Sequence, residues 1–190
     1  MTRLFVALAL LCAPAFAAED FYKVDGPSVA GKPDPARLDR LFQRLAAAPD
    51  AARAKAIENE IWRIWLVAPD ERAASRMNRN IKYRGYGEYW DSMDQLGHVI
   101  RRFPDYPEAY NQRSILHFLN EDYEKSLADC RRVLKLEPRH FGCLSGMAGI
   151  LKKLGREDEA RRTMRRALTI HPYLAARRLF PDLAVPTLRL

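Results

Sequence analysis

The chain has 190 residues, 48% of them hydrophobic, which is enough for one domain with its own core and excludes disorder throughout. Its formal charge is +8, from 32 Lys and Arg against 24 Asp and Glu. The four histidines have no metal-ligand spacing, and there is no His-Glu-x-x-His, Cys-x-x-Cys, oxygen-rich calcium loop, Gly-x-Ser-x-Gly elbow or phosphate-cradling glycine loop. Neither a catalytic residue nor a cofactor nor a metal site is expected.

Residues 1–17 open with Arg3, run through an apolar stretch and end in Ala15-Phe16-Ala17, the pattern of a secretory signal peptide cleaved after Ala17. An exported, periplasmic mature chain without a transmembrane span is the expectation, since no later stretch is long and apolar enough to cross a bilayer. Cys12 follows Leu11 where lipid attachment calls for a small residue, so lipidation is not expected. Residues 18–33, with Phe21 and Tyr22, show neither helical nor strand period and read as an extended, mobile leader.

Asp34 before Pro35 starts a helix, because an Asp side chain caps the free N–H groups and proline lacks the donor that would be wasted there. Leu38, Leu41, Phe42 and Leu45 give it one apolar face, and it should stop near Pro49. Asp50 caps a second, alanine-rich helix carrying Ile57, Ile61, Ile64 and Trp65, with Trp62 beside them. Residues 34–69 are therefore predicted to be a degenerate helix hairpin that caps the amino end of a longer helical array.

Beyond Pro69 the chain repeats. Pro104, Pro138 and Pro172 are spaced by 34 residues and mark helix ends, since proline cannot continue a helix. The units are 73–106, 107–140 and 141–174. Tyr110 falls with Leu144, Ser114 with Ala148, His117 with Leu151, Ser126 with Ala160, Cys130 with Met164 and Val133 with Ala167. Small residues recur where paired helices must cross closely, and Gly87 and Gly155 supply turns. Residues 173–180 predict a short capping helix and 181–190 an apolar tail that folds back on the domain. Its competing reading is a peptide held by a partner.

This period and pattern, strongest at Leu144, Met147, Ala148, Leu151, Ala160, Met164, Ala167 and Pro172, resemble the tetratricopeptide repeat. The resemblance implies an all-α, right-handed solenoid of antiparallel helix hairpins that binds a protein or peptide on its concave, first-helix face. On that wall it places Met77, Ile81 and Arg84, then Asn111, Ile115, Phe118 and Leu119, then Lys152 and Lys153, an apolar middle with a basic carboxyl end. The family's carboxylate clamp is not expected in its usual form, because Met77, Ile81, Gly142 and Gly146 occupy most of its places.

The second reading is an envelope-associated accessory protein, attached to an anionic surface through Arg131, Arg132, Arg161, Arg162, Arg165 and Arg166 on the convex side. Nucleic acid is not an expected partner. Arg76, Arg79 and Arg113 stand where the family shows large apolar groups. The favoured reading is that their stems pack while their heads reach water, and the alternative is pairing with buried carboxylates. Whether Cys130 and Cys143 meet depends on how the helices stack, so a disulfide and two separate thiols both stand.

Overall fold

A computed structural model describes residues 27–183. The signal-peptide stretch 1–17 with Cys12, the aromatics Phe21 and Tyr22, and the tail 184–190 lie outside the described residues. Within them run eight α-helices, joined by short turns: α1 Pro35–Ala46, α2 Ala51–Trp65, α3 Glu71–Gly85, α4 Tyr89–Arg102, α5 Pro107–Leu119, α6 Tyr123–Leu136, α7 Phe141–Lys153 and α8 Glu157–Ile170. A 3-10 turn, Ala175–Leu179, comes after α8. The architecture is an all-α helical repeat.

Local chemistry sets the boundaries. Asp34, Asp50 and Asp70 each accept the N–H three residues on, from Arg37, Arg53 and Ala73, at 2.7–2.8 Å. The three repeat turns share one geometry. Gly87, Glu121 and Gly155 have φ of 76°, 61° and 72°, and the N–H groups of Glu88, Asp122 and Arg156 reach back to the carbonyls of Tyr83, His117 and Leu151. That bond pattern is a Schellman cap, which needs a left-handed residue after the helix. Glu121 takes this conformation against its Cβ. Replacing it by glycine is expected to stabilise the protein by about 0.5–1 kcal/mol, the relief of left-handed strain less the added unfolded-state entropy, measurable by urea denaturation.

The crossing points are as small as the pattern requires. Ser126 Oγ donates to the Ser114 carbonyl at 2.7 Å, Ala148 faces Ala160 in one core, and Ser92 meets the Asn80 carbonyl. Successive units are then pinned by a repeated device: Arg132 Nη2 donates to the Pro104 carbonyl and Arg166 Nη2 to the Pro138 carbonyl, each at 2.8 Å. A cation at the carboxyl end of the preceding second helix meets the negative pole of its dipole there.

The amino end departs from expectation twice. Residues 28–31, expected in a mobile leader, are docked: Val29–Ala30 pairs in parallel with Val67–Ala68, and buried Ser28 exchanges backbone bonds with the Asn78 side chain. Nor does the α1–α2 hairpin simply cap the solenoid's amino end. It lies against the third unit, where Phe141 completes an apolar cluster with Leu38, Leu41, Phe42, Leu45, Ile61, Trp62 and Trp65, flanked by Ile170, Tyr173 and Leu174. The reason is aromatic surface: α2 carries two tryptophans that its own partner helix cannot cover alone.

Candidate functional site

The first helices α3, α5 and α7 form a continuous wall joined by polar side chains. Arg84 on α3 reaches Gln112 on α5 at 2.6 Å, and Asn80 reaches the same oxygen at 3.4 Å. Gln112 and Asn111 both donate to Glu108, whose carboxylate also faces His140 Nε2 at 3.4 Å. Glu108 and His140 are essentially fully buried, so the carboxylate is bonded within the fold and not offered to solvent, while Asn80 Oδ1 is buried without a partner.

What buries its carboxyl-terminal part is the protein's own α2. Trp65 stacks on His140 with 4.0 Å between ring centroids and an interplanar angle of 14°. Trp62 lies edge-on to Phe141 at 5.7 Å, and a Cβ on Gly142 would come within 2.8 Å of Trp62 Cη2. Polar contacts flank it: Arg139 forms an ion pair with Asp39 at 2.7 Å while its guanidinium covers the Phe42 ring, and His171 Nε2 meets Glu58 at 3.3 Å. Burial pushes the Glu58 carboxyl up, but hydrogen bonds from His171 and Lys55 outweigh it and hold the group below the ordinary carboxylate value.

The nine wall residues expected from the sequence therefore divide. Met77, Asn111 and Ile115 are buried and present no surface to a partner, which corrects their assignment to an open groove. Met77 fills the seam with Leu96, Val99, Tyr106 and Leu116. Asn111 is spent on Glu108 and on the Cys143 thiol, and Ile115 sits one turn further along the same helix face. Ile81, Arg84 and Phe118 are half-buried, while Leu119, Lys152 and Lys153 are exposed. Lys152 bonds Glu157 at 3.1 Å, and Lys153 lies over the Tyr123 ring.

The six residues that stay accessible all belong to the ends of the first helices nearest the Schellman turns. Sequence reasoning missed their neighbours. Trp90 is 80% exposed, Tyr86 70% and Leu154 38%; with the expected Leu119 at 48%, and apart from Val29, these are the large apolar side chains most open to solvent among the described residues. A signal for them exists in the repeat register, since Tyr86 and Leu154 flank the turn glycines of two units.

On the opposite side the basic helices are partly committed. Arg132 and Arg166 cap carbonyls and Arg161 pairs with Asp182, while Arg131, Arg162 and Arg165 are exposed. Of the arginines expected to extend into water, Arg79 does, but Arg76 bonds Gln95 at 3.0 Å. Arg113 grips buried Asp129 through two bonds of 2.7 Å, so the carboxylate alternative holds there. The Asp129 hydrogen bonds raise the Arg113 pKa against its burial, and burial lowers that of His117 beside them. Among the described residues no cluster of three His, Cys, Asp or Glu is placed to hold a metal ion, and no helix is long and apolar enough to cross a membrane.

Comparison with known proteins agrees with this geometry. Residues 107–140 and 144–173 each match a tetratricopeptide repeat family model. A TPR repeat-containing protein of Rhizobium etli is 35% identical over 163 residues, covering 84% of this chain and 78% of that protein. Anaphase-promoting complex subunit 3 of Schizosaccharomyces pombe is 29% identical over 85 residues, which is 45% of this chain but 13% of that much longer protein. With two repeats matched and the Rhizobium similarity running across most of its length, the chain belongs to the tetratricopeptide repeat family, whose repeats serve as protein–protein interaction scaffolds.

Proposed function

We propose that the protein is a non-catalytic, exported scaffold that binds a segment of a partner protein along the turn-side edge of its first-helix wall. The observation that carries this reading is the gathering of exposed Tyr86, Trp90, Leu119 and Leu154 at the tips of three successive hairpins. Large aromatic and aliphatic groups held on rigid helix ends lose little entropy on binding and are the usual anchors of protein interfaces. Ile81 and Phe118 continue the apolar strip inward, and Lys152 and Lys153 add positive charge at its carboxyl end. A partner segment with apolar anchors and an acidic flank fits this edge. The deeper part of the wall is filled by α2, so a partner meets the edge without displacing it.

Export to the periplasm rests on the composition of residues 1–17. Attachment to an anionic surface through the convex arginines is the weaker reading, because Arg132, Arg161 and Arg166 already have partners within the fold. A photocrosslinker at position 90, introduced in cells, is expected to capture one predominant protein. Trp90→Ala is then expected to weaken that complex by about thirtyfold, the loss typical of a central anchor, with little dependence on salt. Unchanged affinity on Trp90→Ala and Leu119→Glu, or binding that collapses as salt rises, would overturn the edge as the site.

A further inference from the structure

Cys130 on α6 and Cys143 on α7 belong to different repeats, yet their side chains converge. Both are buried in one small cluster with Tyr110 and Val133. Each thiol also bonds to the same turn of α5: Cys130 Sγ to Ser114 Oγ at 3.4 Å, Cys143 Sγ to Asn111 Oδ1 at 3.1 Å, and Ser114 Oγ in turn donates to the Asn111 carbonyl at 2.7 Å. Two thiols so placed across a repeat interface, with no metal-holding group of three His, Cys, Asp or Glu among the described residues, are positioned as a dithiol.

We propose that Cys130 and Cys143 form a disulfide joining the second repeat to the third, made by thiol–disulfide exchange with an oxidised disulfide such as oxidised glutathione or an oxidising protein disulfide. The thiolate of one cysteine attacks a sulfur of the donor, forming a mixed disulfide and expelling one thiolate. The second cysteine attacks the protein-side sulfur of that bond and expels the other. Two protein thiols and one donor disulfide thus become one protein disulfide and two donor thiols, the protons of the cysteines ending on the released thiols. Because both sulfurs are buried and burial pushes the Cys143 thiol well above its ordinary pKa, exchange in the folded protein waits on a parting of α6 from α7. The bond therefore forms chiefly as the chain folds.

Its consequence is local. Cys143 comes directly after Gly142 in the turn of α7 on which Trp62 rests, and its N–H bonds His140 Nδ1 at 3.1 Å. Tying α7 to α6 holds the seat of the N-terminal hairpin in place. The assignment does not depend on where a partner docks, so it stands or falls separately from the proposed binding edge.

The test is to refold the reduced full chain in a glutathione buffer containing the oxidised form. Mass spectrometry without reduction should show the loss of two hydrogens and a crosslinked peptide joining Cys130 to Cys143. The oxidised protein should have a folded-to-unfolded ratio about a hundredfold above that of the reduced protein, as expected for closing a short loop. Cys143→Ser should abolish both the crosslink and the gain. Two free thiols, glutathione adducts at both positions, a crosslink that uses Cys12 instead, or an equal gain in Cys143→Ser would each overturn the proposal.

Discussion

Trp65→Ala is expected to destabilise the protein by about 3 kcal/mol and to split its unfolding into two transitions. A buried tryptophan cut back to alanine ordinarily costs about 3–5 kcal/mol in lost transfer energy and cavity. Here the indole Nε1 is buried without a partner, so its removal returns about 1 kcal/mol and places the result at the lower end. The split arises from where the ring sits. Repeat arrays are held mainly by contacts between neighbours, but Trp65 stacks on His140 and packs on Phe141, binding the first hairpin to the third repeat. While that contact holds, the hairpin and the repeats share a fate. Without it, α1 and α2 should melt first, with α3 to α8 unfolding at a higher denaturant concentration. Tryptophan fluorescence, which senses Trp62 in the hairpin, and helical circular dichroism should then give midpoints that no longer coincide. A loss below about 1 kcal/mol with coincident midpoints would mean that the hairpin does not depend on the third repeat.

Why the repeats are readable from sequence and this contact is not comes down to the distance over which each signal acts. Helix caps at Asp34, Asp50 and Asp70, the small crossing residues Ser114, Ser126, Ala148 and Ala160, and the turn glycines are local requirements, and each leaves its residue type at a fixed spacing. Glu121 shows the limit even there: the turn it makes is the same as those at Gly87 and Gly155, but the residue type conceals it. The hairpin's destination is set by shape complementarity between residues far apart in sequence. Trp62 fits because Gly142 has no Cβ, and nothing periodic relates the two. Packing between elements likewise explains the partial failure of the wall assignment, since Met77 is covered by the seam with Leu96, Val99, Tyr106 and Leu116 and Asn111 is held by Glu108 and Cys143. Helical spacing correctly places Met77, Asn111 and Ile115 on first helices, but it carries no information about what lies on top of them. Trp90 shares a helix with Leu96 and Val99, and apolar character alone groups it with their core. It falls on the outer side, where it stays 80% exposed with the adjacent Tyr89 ring edge-on to it.

The pair Arg113–Asp129 replaces an apolar contact of the family pattern with a forked ion pair, and the energetics of that exchange can be separated by mutation. Asp129→Leu should cost about 3 kcal/mol, because it strands the guanidinium in a site where most of its hydration is gone. The value stays at the lower end of the range for broken buried pairs, since the Arg113 side chain keeps 27% of its exposure against 9% for Asp129. Arg113→Leu together with Asp129→Leu should fall within about 1 kcal/mol of the parent, as two apolar groups fill the gap and neither charge is left behind. A double-substitution cycle in urea would thus return a coupling of more than about 2 kcal/mol in magnitude, since the cost of Arg113→Leu adds to the difference between the Asp129→Leu and double variants. Equal and additive losses would instead show that packing of the stems, not the charges, holds this crossing. His117 supplies an independent check through pH. Burial lowers its pKa from the ordinary 6.5, Asp129 opposes the shift and Arg113 reinforces it. Removing Arg113 alone lets the imidazole rise back and take a proton next to Asp129, so the folded variant binds more protons than the folded parent does. The deficit of Arg113→Leu should therefore shrink as pH falls from about 7 towards 5, and Asp129→Leu, which removes the group that favours the charged imidazole, should show the opposite trend.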